Sequence, residues 1–255
     1  MENLIKFLRE SRDLSKSDVY KGIMSEYTYT NIENDIDNAN FYSLIMILDR
    51  LNIPFSEFAY LYSKSKDIPN FFDDLNNELS NRIVIIDEFI KNHPYLTDFQ
   101  IDILYSLATL YEGTAQEQEK YRKIIWNSIQ NRENLLPNDI VLLSYIFFLF
   151  KDEQQAYIIN EIEEKMNLWE DYYGISKTIS LFYYHLGTLY NLVHKDTETA
   201  IKYYNIAINK GVKHQSPYPT ARAMIDLGNI TSNEDLKTKG NTILSVFHPE
   251  MLDML

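Results

Sequence analysis

Cysteine is absent from this chain of 255 residues, and glycine and proline number only seven each. Without cysteine there can be no disulfide framework, no thiolate metal site and no thiol nucleophile, which suits a reducing cytoplasm. So little glycine and proline leaves few residues for irregular loops, and short connections with abundant helix are expected. Long apolar runs are lacking too. The most apolar stretch, "IVLLSYIFFLF" at 140–150, is bounded by Asp139 and Lys151 and is too short to span a bilayer. It reads as a buried core helix, and no membrane partner is expected. The opening "MENLIKFLRE" mixes charges with apolar residues and has no signal-peptide core.

Positive charge is scarce: 24 Lys and Arg face 37 Asp and Glu, a formal net charge of −13. General attraction to nucleic acid or anionic lipid is therefore not expected, and any such binding needs a local basic patch. Chemistry-bearing patterns are equally thin. "KTKGNT" at 237–242 lacks the spacing of a phosphate loop, the five histidines never stand at i, i+4, and no serine sits in a nucleophile elbow. No catalytic residue, metal or cofactor is expected, and the chain does not read as an enzyme.

What the chain does have is a beat. "ILYSLATLYEGT" (103–114) returns as "FYYHLGTLYNLV" (182–193), keeping Tyr, Leu, Thr, Leu and Tyr in register 79 residues on. Halfway lies "VLLSYIFFLF", and one period further lies "ARAMIDLGNIT". The anchors Tyr111, Phe150, Tyr190 and Thr231 are spaced 39, 40 and 41 residues apart, the period of a stacked helical hairpin. Each copy opens with an apolar helix and continues with a more charged one. Gly211 stands where a left-handed helix cap belongs, and Ser232 reads as an N-cap. Each hairpin can bury its apolar face only against the next, which is the reason for repetition.

The third copy resembles a tetratricopeptide repeat. Tyr183, Leu186, Gly187 and Tyr190 match its first helix, and Ala200, Tyr204 and Ala207 its second, with small Gly187 and Gly228 admitting the partner helix. In such stacks the first helices line the concave side. An extended peptide lying there needs amides for its backbone, apolar pockets and a cation for a carboxylate. The candidate peptide-binding residues are Tyr105, Thr109, Phe148, Lys151, Tyr184, Thr188, Asn191, Arg222, Ile225 and Asn229, with Ser144 beside them.

Residues 1–62 differ, with short helices separated by polar breaks and with N-cap oxygens from Ser15 and Ser25. Leu8-Arg9, Arg12, Leu14-Ser15, Ser25, Ile32-Glu33 and "LDRLNIPFSEF" (48–58) resemble the XRE-like helix-turn-helix of the Rgg/GadR/MutR regulators. The wider RRNPP peptide-sensing group has the same two-part order. The resemblance implies an all-α chain: a helix-turn-helix domain at 1–62, a linker at 63–70 and a tetratricopeptide-like solenoid at 71–255. Repeats fall near 98–131, 137–168, 173–211 and 217–247, a helix over 71–92 covers the first, and 248–255 caps the last. It also implies a cytoplasmic transcriptional regulator engaged in quorum sensing: a homodimer that binds double-stranded DNA and a short signalling peptide. Tyr27, Thr28, Thr30 and Asn31 would read base edges while Arg9, Arg12, Lys16 and Lys21 hold phosphates.

One departure stands against that picture. The recognition helix "SEYTYTNIEND" has no Lys or Arg, and six bases face ten acids through residue 62. A second reading therefore stays open, a peptide- or protein-binding scaffold whose acidic helix-turn-helix has lost DNA binding.

Overall fold

The structure is a computed structural model that describes residues 3–66, 86–132 and 134–247, the side chains of 111 and 112 excepted. It is all-α, with no strand among the described residues. The chain divides into two compact units, Met1–Asn77 and Glu78–Leu255. No helix among the described residues is long and apolar enough to cross a membrane.

In the first unit α1 (Leu4–Glu10), α2 (Lys16–Tyr20) and α3 (Glu26–Asn34) are followed by a 3₁₀ turn, α4 (Phe41–Leu51) and α5 (Phe55–Ser65). The caps explain the boundaries. Ser15 and Asp18 form a reciprocal capping box, Ser25 Oγ accepts from the Thr28 amide at 3.1 Å, and Asn40 Oδ1 accepts from Ser43 at 2.8 Å. Gly22, at φ +80, makes the turn between α2 and α3 and holds α2 to five residues. Leu4, Ile5, Leu8, Val19, Tyr29, Ile47 and Phe58 meet in the core; each such side chain, fully buried, contributes roughly 1.5–3 kcal/mol. The last helix runs past the expected boundary at 62, to Ser65, since Phe58, Leu61 and Tyr62 pack on this core.

The second unit begins, in its described part, with α6 (Ile86–Asn92); residues 71–85 of the expected covering helix lie outside the described residues, as does the expected cap at 248–255. Four helix pairs follow: α7 (Asp98–Glu112) with α8 (Ala115–Gln130), α9 (Pro137–Ser144) with α10 (Asp152–Leu168), α11 (Tyr173–Leu189) with α12 (Thr197–Lys213), and α13 (Pro217–Thr231) with α14 (Glu234–Phe247). Helices pair in sequence order, and successive first helices also touch: α7 on α9, α9 on α11 and α11 on α13. The first helices therefore form one continuous layer of the stack. Gly187 permits a close approach of α12 to α11, for a Cβ there would lie 2.6 Å from Cδ1 of Tyr204.

Three local expectations need correction. Helix α9 stops at Ser144, and the chain continues through a 3₁₀ turn at Phe147–Leu149. The amides of Tyr145 and Ile146 bond three residues back, and the Ser144 hydroxyl donates to the Val141 carbonyl at 2.6 Å. The tightened path wedges the fully buried Phe147 against Phe182 of α11, ring centroids 5.4 Å apart. Gly211 is no terminal cap. It lies inside α12, buried, where a side chain would collide with the Thr220 and Ser180 hydroxyls. Ser232 takes the left-handed position that ends α13, and Asn233 caps α14 by accepting from the Leu236 amide at 3.0 Å.

Candidate functional site

Two surfaces hold the candidate residues. On α3, Tyr27 points outward with 77% of its surface exposed, Thr28 is exposed, and Thr30 and Asn31 are half-buried. Tyr29, Ile32 and Glu33 face the core, so the amphipathic split leaves a polar outer face. The Thr28 hydroxyl also shares a hydrogen bond with Ser25 at the cap, 2.8 Å away. Glu26 is exposed at the start of the helix and accepts from the Tyr20 hydroxyl at 3.3 Å.

The phosphate-holding set shrinks. Arg9 is buried: its Nε donates to Glu33 at 2.7 Å, Nη1 to the Leu14 carbonyl at 2.7 Å and Nη2 to Glu10 at 3.2 Å. Lys16 Nζ meets the other Glu33 oxygen at 3.0 Å. These two cations clamp α3 onto α1 and α2: Arg9 is buried away from any phosphate, and Lys16, its side chain 40% exposed, is paired with Glu33. Arg50 is occupied as well, donating to the carbonyls of Asp18 at 2.9 Å and Lys21 at 3.3 Å where α2 ends. Arg12 and Lys21 stay exposed, Arg12 in a long contact with the Asn52 carbonyl at 3.5 Å.

In the second unit the first hairpin uses its candidates internally. The Tyr105 hydroxyl donates to Asp87 of α6 at 2.9 Å while its ring stacks on Tyr121, and the Thr109 hydroxyl donates to the Ser106 carbonyl at 2.7 Å. In the second hairpin Ser144 is buried at the end of α9, and the break after it carries Lys151 out of the helical register to the cap position of α10, beside Arg122 and Gln154. Phe148 keeps a partly exposed ring edge-on to Phe147.

The third and fourth hairpins bring their candidates together. Tyr184, 8% exposed, forms the floor with its ring 6.1 Å from that of Tyr204. Arg222 Nε reaches the Tyr184 hydroxyl from α13 at 3.5 Å, and the Tyr204 hydroxyl reaches Thr188 Oγ1 at 3.4 Å. Burial pushes the Tyr204 hydroxyl up to about 12, Thr188 and Asn191 opposing it by hydrogen bonding, so it stays a protonated donor. Asn191 belongs to a π turn at Tyr190–His194, and Asn229 is exposed at the far end of α13. Ile225 does not join them. It is buried with Ala221 and Leu244 against α14, close to Gly240, and serves the hairpin core.

The residue that takes its place is Asp226, half-buried, whose carboxyl is pushed above the usual range by burial, with Arg222 and Tyr184 pulling it back. The signal was present in the sequence. Tyr184, Thr188 and Asn191 stand at i, i+4 and i+7, and the same register from Arg222 gives Asp226 and Asn229.

The whole fold has a precedent. A crystal structure from Listeria monocytogenes EGD-e, described as that of a candidate transcriptional regulator, superposes with a TM-score of 0.69 at 17% identity over 99% of this chain and 90% of that one. No family model matches the chain, and no curated protein does. At that identity the likeness speaks to architecture.

Proposed function

We propose that this chain is a transcriptional regulator of the Rgg-like, peptide-sensing type, in which α3 reads duplex DNA and the inner face of the hairpin stack takes a short peptide. The observation that carries this reading is the union, in one chain, of a helix-turn-helix with a polar outward α3 and a hairpin stack with convergent Tyr, Thr, Asn and Arg side chains. The Listeria protein's description as a candidate regulator, over nearly the full length, supports the same role. Tyr27, Thr30 and Asn31 offer a hydroxyl, a methyl and an amide to base edges, and Arg12 and Lys21 the phosphate contacts. A homodimer in the cytoplasm doubles that set. Peptide acts by binding one arrangement of the regulator better than another.

Fluorescence anisotropy with promoter-region duplexes at two salt concentrations tests the DNA role. Site-dependent affinity that weakens with salt is expected. Equal, negligible affinity for all duplexes at low salt would instead favour the scaffold reading, to which the Arg9–Glu33–Lys16 clamp lends weight by engaging two cations.

A further inference from the structure

Along α13 the charges are set out unevenly. Arg222 and Asp226 stand one helical turn apart with opposite charges, yet Arg222 directs Nε to the Tyr184 hydroxyl of the neighbouring hairpin. Among the described residues no lysine, arginine or histidine is in ion-pair contact with the Asp226 carboxylate, although that side chain is half-buried. A carboxylate drawn out of water without a full partner is unfavourable, and a cation arriving with a ligand removes the penalty. Its pKa, raised chiefly by burial, registers the same deficit. The chain's net charge of −13 gives long-range attraction of the same sign. Around Asp226 lie donors suited to peptide carbonyls: Arg222 on the preceding turn and Asn229 on the following one.

Resting on the inner face as the peptide site, we infer that Asp226 receives a cationic group of the bound peptide, its N-terminal ammonium or a lysine or arginine side chain. Arg222 and Asn229 hold the adjoining backbone. The Tyr184 hydroxyl stands between the two, hydrogen-bonded to Arg222 and to Asp226; as a neutral partner it leaves the carboxylate's charge for the ligand to match.

The test uses the full-length chain and a pool of short, mainly apolar synthetic peptides. The pool is made in forms that differ only in charge: free or acetylated N-terminus, each with and without one internal lysine. Retention on the immobilised protein is measured by mass spectrometry and affinity by titration calorimetry of the retained sequences. Asp226→Asn, nearly isosteric, is expected to weaken cation-bearing peptides by about ten- to hundredfold. Acetylating a lysine-free peptide should cause the same loss on the unaltered protein, and the two changes together should do no more than either alone. If acetylated lysine peptides keep full affinity, the side chain is the source of the cation; if acetylation weakens every form, it is the terminal amine. Equal binding of acetylated and free lysine-free forms, with no effect of Asp226→Asn on any form, overturns the cation subsite and leaves the peptide site standing. Retention of no peptide in any form overturns both.

Discussion

Glu33 holds two of the cations that the sequence offers to DNA. Burial works to raise its pKa, but hydrogen bonds from Arg9 and Lys16, with their charges, outweigh it and leave the carboxyl below its ordinary value. The native form therefore takes up the proton later than the unfolded chain. The stabilisation is complete above about pH 4.3, the unfolded value, and is lost as pH falls through the native one. Glu33→Gln leaves buried Arg9 with the exposed Glu10 as its remaining carboxylate partner among the described residues and should destabilise the first unit by about 3 kcal/mol. Hydrogen exchange of α1 and α3 amides isolates that unit; unchanged protection at neutral pH would refute the clamp. His185 is shifted in the same direction for a different reason. Burial lowers its pKa to about 4, and among the described residues its Nδ1 has no hydrogen-bond partner. Between roughly pH 6.5 and 4 the unfolded chain binds the proton and the native one does not, so stability drops as pH is lowered across that window, by on the order of 3 kcal/mol. Replacing His185 by Leu should flatten that stretch of the melting-temperature profile, and a profile of unchanged slope would show that the imidazole does not remain neutral. Neither environment was legible from sequence. Arg9 and Glu33 are 24 positions apart, and only the packing of α1 on α3 joins them. Asp226, by contrast, was one helical register away from being read.

Helices were legible wherever a cap or a period announced them. Ser15 and Ser25 each accept the amide three residues on, and both helices begin where those residues place them. Failures came where tertiary packing overrode the local pattern. The run 140–150 reads as one apolar helix, but Phe147 is needed between hairpins and a straight helix would not deliver it there. Gly211 carries the ordinary signature of a helix end, yet its lack of a side chain serves the approach of Thr220 and Ser180 instead. Gly187 was read correctly, because the Tyr204 ring needs the space. Gly187→Ala sets a methyl carbon 2.6 Å from that ring and should cost about 1–3 kcal/mol by overpacking. Thermal unfolding checks this, and Gly187→Ala combined with Tyr204→Leu should recover part of the loss. If the single variant melts with the unaltered protein, the hairpin is looser than its geometry.

At the scale of the molecule the decisive quantity is how few cations remain for DNA. Of the four expected phosphate contacts, Arg9 and Lys16 are bound to Glu33, which leaves Arg12 and Lys21. Each neutralised phosphate contributes about −0.9 to the slope of log K against log salt, so one copy supplies about −2 and a two-fold pair about −4. That is a shallow dependence for a specific binder. On the proposed DNA role, affinity is then expected in larger part from base contacts through Tyr27, Thr30 and Asn31 and from two half-sites engaged together. Lys21→Ala should weaken all duplexes similarly and flatten the slope by about 1 per copy, whereas Asn31→Ala should discriminate among duplexes and leave the slope alone. Anisotropy titrations over a range of salt separate the two effects. A slope much steeper than about −4 would mean that cations beyond Arg12 and Lys21 reach the phosphates, and the assignment of α3 as the reading element would have to yield to another surface.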